Sequence, residues 1–123
     1  MAVKDLINTK KCLFICNGGC CMKKDAEEIT LAIRKCIKEM GLDDDYHTVR
    51  TKCIGRCDDA PVAMLSPDNI WLQQIDAENC KLIIEQIEKQ KISESDYFLY
   101  KMGENSINSN SIPTKYKTKK VQI

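Results

Sequence analysis

A single histidine, no C-x-x-C dithiol, no apolar run of membrane-spanning length and no glycine-rich nucleotide loop exclude several chemistries for this 123-residue chain. With His47 alone, a centre that needs two imidazoles on one iron has no ligands, and His47 reads as a strand side chain. The pairs Cys12/Cys16, Cys16/Cys20 and Cys53/Cys57 are all C-x-x-x-C, so a thioredoxin-type dithiol is missing. Without a phosphate-binding glycine motif the chain cannot oxidise NADH by itself. No nucleophile is grouped with an acid–base partner. Asp43-Asp44-Asp45 lacks the glycine and closing glutamate of an EF-hand loop and reads as solvated surface. Met1–Leu6 carries no apolar h-region, so secretion is not expected, nor is a membrane span.

What the chain has in quantity is cysteine, with eight. In a secreted chain of this size that density would suggest a disulfide scaffold. In the reducing cytoplasm expected here, clustered thiols bind metal or carry redox chemistry. A content of 43% hydrophobic and 30% charged residues suits one globular domain, and the length allows that domain plus a tail. Residues 91–123 hold six lysines against three acidic side chains, while the remaining body has 13 basic and 15 acidic ones. An acidic body with a short terminal basic run, Lys115–Lys120, does not read as a nucleic-acid binder.

Residues 1–10 read as a polar lead-in, 11–91 as the folded domain and 92–123 as a partly irregular tail. Lys11–Cys16 is an apolar run of the kind expected for a strand covered on both faces. Residues 17–24 read as a loop in which Gly18-Gly19 supply positive φ angles. Asp25 with Glu28 matches a capping box. From Ala26 to Met40 the apolar residues Ile29, Ile33, Cys36, Ile37 and Met40 recur at helical spacing, stopped by Gly41. Tyr46–Thr51 is β-branched and aromatic, a second strand. Pro61–Leu65 and Ile70–Ile75, joined by Ser66-Pro67-Asp68-Asn69, read as a hairpin. Asp76 is placed to cap a final helix with Cys80, Ile83, Ile84 and Ile87 inside. Tyr97-Phe98-Leu99-Tyr100 is apolar enough to dock or to pair as a strand. Gly103 to Ser111 is Asn/Ser-rich and reads as irregular.

The order β-α-β-β-β-α, with a right-handed crossover between two parallel strands, predicts an α/β, thioredoxin-like fold: a mixed four-stranded sheet flanked by helices. Both cysteine loops follow parallel strands at their carboxyl ends, where open α/β sheets bind ligands. The first is Cys16-Asn17-Gly18-Gly19-Cys20-Cys21; the second is Cys53-Ile54-Gly55-Arg56-Cys57. A [2Fe–2S] cluster takes two thiolates on each iron and is anionic, so glycine N–H groups at 18, 19 and 55 are expected to donate to sulfur. Lys23, Lys24, Lys52 and Arg56 flank the thiols and are expected to lower their pKa. Spacing alone leaves a four-cysteine zinc site open, and it leaves Cys20 and Cys21 in competition. Cys36 and Cys80 read as buried packing, and Cys12 as a packing residue of the strand on the same side as Cys16.

These residues resemble a known group. Cys16-x₄-Cys21 running into Met22–Ile29, then Cys53-x₃-Cys57 running into Asp58-Asp59-Ala60-Pro61-Val62, is similar to the thioredoxin-like [2Fe–2S] ferredoxins. The E subunit of NADH dehydrogenases and related hydrogenases shares the pattern. The likeness covers about residues 11–90, including Asn69-Ile70-Trp71. It implies that Cys16, Cys21, Cys53 and Cys57 ligate a [2Fe–2S] cluster. Asp25 stands where the family has a glycine, and the tail has no counterpart.

The function implied is one-electron transfer between redox proteins, with a flavoprotein as one partner and a homodimer as one assembly. One alternative is a subunit of a multicomponent NAD(P)H dehydrogenase or hydrogenase. The other is a zinc- or iron-binding sensor or interaction module. Asp58-Asp59 are expected to lower the potential or steer a basic partner. Trp71 and Tyr97–Tyr100 read as core packing or as a docking surface.

Overall fold

The computed structural model describes residues 4–108; the Lys115–Lys120 run and the end of the Asn/Ser-rich stretch lie outside them. The central strand is β1 (Lys11–Cys16), with β2 (Tyr46–Thr51) parallel on one side and β3 (Ala63–Ser66) antiparallel on the other. β4 (Ile70–Leu72) and β5 (Phe98–Lys101) extend the sheet, antiparallel, in the order β2-β1-β3-β4-β5. The helices are α1 (Gly19–Lys23), α2 (Ala26–Glu39) and α3 (Cys80–Glu88), with single 3₁₀ turns at Cys57–Asp59 and Ile92–Glu94. Ala60–Pro61 and Ser66–Pro67 are cis peptides.

α2 and β2 form where the sequence pattern puts them. Ile29, Ile33 and Ile37 bury one face of α2, which is capped by Met40 and followed by Gly41 at φ +73°, an angle that glycine adopts without strain. Both long helices pack on one face of the sheet. Leu13, Ile15, Leu65, Ile70 and Leu72 meet Ile33, Ile37, Ile83, Ile84 and Ile87 there in one buried cluster. Among the described residues, the flanking by long helices expected of the fold is concentrated on this face. Phe14, Met64, Trp71 and Tyr100 lie side by side across the other face, and each is only half-buried. The physical reason is the crossover: α2 and α3 are both amphipathic, and each satisfies its single apolar stripe against the same strand residues.

Four further expectations change. The sheet has five strands, because Phe98–Lys101 pairs with β4 through a bulge at Trp71/Leu72; the segment set apart as tail thus enters the sheet. The loop 17–24 contains α1, begun by the Met22 N–H donating to the Gly18 carbonyl at 2.8 Å. Asp25 does precede α2 but forms no capping box: it sits at φ 67°, ψ 31°, with its side chain making no cap hydrogen bond. Asp76 does not cap α3 directly, since Asn79 occupies that position; the Asp76 carboxylate accepts from the Asn79 N–H at 2.8 Å and holds the approach turn.

Candidate metal centre

The parallel pairing of β1 and β2 brings the two cysteine loops to the same end of the sheet, with Cys16 opposite Thr51. Asn17 N–H donates to the Thr51 carbonyl at 2.8 Å and Cys16 N–H to the Val62 carbonyl at 3.0 Å, so the first loop is stitched to both neighbours. Gly18 takes φ −72°, not a positive angle. Its role is close approach: a Cβ there would stand 2.6 Å from the Cys53 N and Cα. The backbones of the two loops touch only because that atom is missing.

Five thiols meet at this junction. Cys16 and Cys21 are both 2% exposed and share a buried layer with Ala26, Ala60, Val62 and Leu99, against which Ile54, Trp71 and Tyr100 pack. Cys20, Cys53 and Cys57 are exposed. Cys21 hydrogen-bonds Cys16; Cys57 hydrogen-bonds Cys20 and Cys53, with 3.8 Å between the Cys53 and Cys57 sulfurs. The Gly55 N–H donates to the Cys53 Sγ at 3.4 Å, as expected of that glycine. Val62, which no sequence pattern marks as a donor to sulfur, directs its N–H at the Cys21 thiol. No three metal-ligating side chains close on a single-ion site among the described residues.

The expectation of lowered thiol pKa values is overturned for two of these groups. Burial pushes Cys21 up to about 11; the Val62 N–H opposes the rise, and Cys16 and Cys53 add to it. Cys57 is pushed up to about 12, first by its hydrogen bonds to Cys20 and Cys53 and then by repulsion from the same two thiols. Burial at Cys21 and thiol crowding at Cys57 set the direction, and the cation next to Cys57 in sequence is engaged with a carboxylate. Arg56 pairs with Asp59 through its Nη2 at 2.6 Å and its Nε at 2.8 Å. This also corrects the reading of Asp58-Asp59 as two steering charges: Asp59 is buried and paired, and Asp58 alone is exposed.

Of the remaining cysteines, Cys80 is buried as expected, whereas Cys36 and Cys12 are only partly so. Cys80 is fully buried and its pKa is driven up to about 12, mainly by burial; Cys36 is half-buried against the same core. Cys12 sits on the half-open face, paired in register with His47.

Residues 7–88 match the family model for the thioredoxin-like [2Fe-2S] ferredoxin. The chain belongs to that family. A protein of Priestia megaterium named as a 2Fe-2S ferredoxin is 45% identical over 82 residues, which is 67% of this chain and 64% of that protein's length. The solved thioredoxin-like [2Fe-2S] ferredoxin from Aquifex aeolicus superimposes with a TM-score of 0.71, at 21% identity, over 81% of this chain and 99% of that one. A chain of an NAD+-reducing [NiFe]-hydrogenase aligns at TM-score 0.52 and 15% identity, covering 72% of this chain and 16% of that one. The family's cofactor is a [2Fe–2S] cluster. The donor set fits it: soft thiols in number, backbone N–H groups directed at sulfur, and an apolar layer that keeps water from one side.

Proposed function

We propose that the protein carries single electrons between redox partners on a [2Fe–2S] cluster held by Cys16, Cys21, Cys53 and Cys57. The observation that carries the reading is the convergence of the two loops at the Gly18–Cys53 contact, which puts thiols from residues 16–21 and 53–57 around one point. Choosing Cys21 over Cys20 is supported by burial: Cys21 shares the apolar layer with Cys16, whereas Cys20 stands in solvent against Cys57.

Bound at these thiols, the cluster supplies the one-electron couple. The chain's residues do the rest. Ile54, Val62, Trp71 and Leu99 exclude water from the inner thiols, the N–H groups of Gly55 and Val62 moderate negative charge on sulfur, and the exposed Cys53–Cys57 loop offers partners an accessible edge. Because the Cys21 and Cys57 thiols hold their protons at neutral pH, binding the cluster there releases them. We place the protein in the cytoplasm, on its clustered free thiols; no described helix is long and apolar enough to cross a membrane.

A second reading is supported by the hydrogenase likeness: an electron-transfer subunit docked on a flavoprotein neighbour. A homodimer is the corresponding assembly for a free-standing carrier, with the half-open face around Trp71 as its contact. Visible absorption and EPR after dithionite reduction of anaerobically prepared protein test the main reading. Cys→Ser at 16, 21, 53 or 57 is expected to abolish the reduced-state signal, and Cys20→Ser to preserve it. Loss on changing Cys20 but not Cys21 would reverse that assignment. Copurification with a flavoprotein would select the subunit reading, and a stable isolated dimer the carrier.

A further inference from the structure

The ion pair between Arg56 and Asp59 brackets Cys57 in sequence, and one of its partners lies inside the protein. The Asp59 side chain is 1% exposed and that of Arg56 23%. Both the Nε and the Nη2 of Arg56 converge on one oxygen, Asp59 Oδ2. The intervening backbone is closed by the Asp59 N–H to the Arg56 carbonyl at 3.0 Å. It is anchored to the chain after β4 by the Gln74 N–H to the Asp59 carbonyl, also at 3.0 Å. Around this anchor the loop is open: Cys53, Gly55, Cys57 and Asp58 are exposed.

A carboxylate placed in the interior needs a fixed counter-charge, and a forked guanidinium holds one geometry where a lysine would not. The carboxylate has Arg56 as that partner. The exposed Lys52 and Asp58 are surrounded by water, which screens their charge at the thiols; the Arg56–Asp59 pair is largely withdrawn from it.

Building on the functional reading above, we propose that Asp59 is a positioning residue. Through Arg56 it ties down the turn that carries Cys57 and keeps a fixed ion pair beside the exposed half of the cofactor site. The pair sets the local charge felt by the added electron, and its geometry sets how long the loop retains its ligands. Removing the anion takes away one negative charge and favours the reduced, more negative cofactor; removing the cation does the opposite.

The test compares wild type with Asp59→Asn, Arg56→Gln, the double variant and Arg56→Lys, all as cofactor-loaded protein. The midpoint potential is read by EPR-monitored titration, and the decay of the visible band is followed in air. Asp59→Asn is expected to raise the potential and Arg56→Gln to lower it, with the double variant returning toward wild type. Arg56→Lys is expected to leave the potential near wild type while the band decays several-fold faster. Single variants that shift in the same direction, or not at all, overturn the proposal. If Asp59→Asn retains no cofactor, Arg56→Lys decides: faster decay at an unchanged potential supports it, and unchanged decay overturns it. Wild-type protein without the [2Fe–2S] signals would instead defeat the functional reading, before any variant is compared.

Discussion

Gly18 and the backbone of Cys53 occupy adjoining space so tightly that a Cβ on Gly18 would lie 2.6 Å from the Cys53 Cα and 2.8 Å from its Cβ. Neither obstacle is the flexible end of a side chain, so Gly18→Ala must separate the loops. The expected cost is about 1–3 kcal/mol of stability, together with most of the bound iron and sulfide. Gly19→Ala is the control: nothing lies within 4 Å of its added methyl, and it should retain full iron content. Metal analysis and thermal melts of the two variants read the difference.

Asp25 adopts φ 67° without a cap hydrogen bond in return. A β-branched residue there is strained by about 1–2 kcal/mol, whereas glycine accepts the angle freely. Urea denaturation should therefore rank Asp25→Gly at or above wild type, by up to about 1 kcal/mol, with Asp25→Val clearly below. An Asp25→Val variant as stable as wild type would show that the loop turns another way.

High pH should destabilise the fold through Cys80. Its folded pKa, about 12, lies above the ordinary 9.0, so the folded chain holds a proton that the unfolded chain gives up. The stability it contributes is complete below about pH 9 and is lost as pH rises toward 12. Tyr46, also shifted upward by burial and by its bond to Glu88, acts in the same direction at still higher pH. Cys80→Ala should lower the melting temperature at neutral pH, by leaving a small cavity, yet flatten its fall across the alkaline range. Parallel slopes in the two proteins would rule Cys80 out as the source.

β5 also covers the inner thiols. Leu99, 1% exposed, belongs to the layer around Cys16 and Cys21, and Met102, beyond the strand, is 56% exposed. Leu99→Ala is expected to cost about 2–4 kcal/mol and to speed bleaching of the cofactor in air; Met102→Ala should stay within about 0.5 kcal/mol of wild type. A chain ending at Lys91 should show the Leu99→Ala behaviour in stronger form. We propose that residues 11–91 form the cofactor domain and that the segment after them protects it. Full stability and an undiminished cofactor lifetime in the shortened chain would contradict the protecting role.

Much of the framework was legible because it rests on local periodicity. Ile29, Ile33 and Ile37 at helical steps mark α2, and the β-branched Tyr46–Thr51 run coincides with β2 at both ends. α1 was not legible: five residues starting at a glycine carry no periodicity, and only the placement of Gly18 against Cys53 selects them. The thiol pKa shifts are not legible for a related reason. Flanking lysines are visible in sequence, whereas the crowding of Cys57 by Cys20 and Cys53 arises only on folding.

The order of residues alone determined which side chains could serve the centre and which longer segments would be helix or strand, α1 excepted, since spacing and propensity act over a few neighbours. Which face of the sheet the two long helices cover, how Asp59 came to be buried against Arg56, and that Cys21 lies inside while Cys20 lies outside were decided by tertiary packing. Those outcomes depend on excluded volume and dehydration between segments far apart in the chain, and no local pattern encodes them.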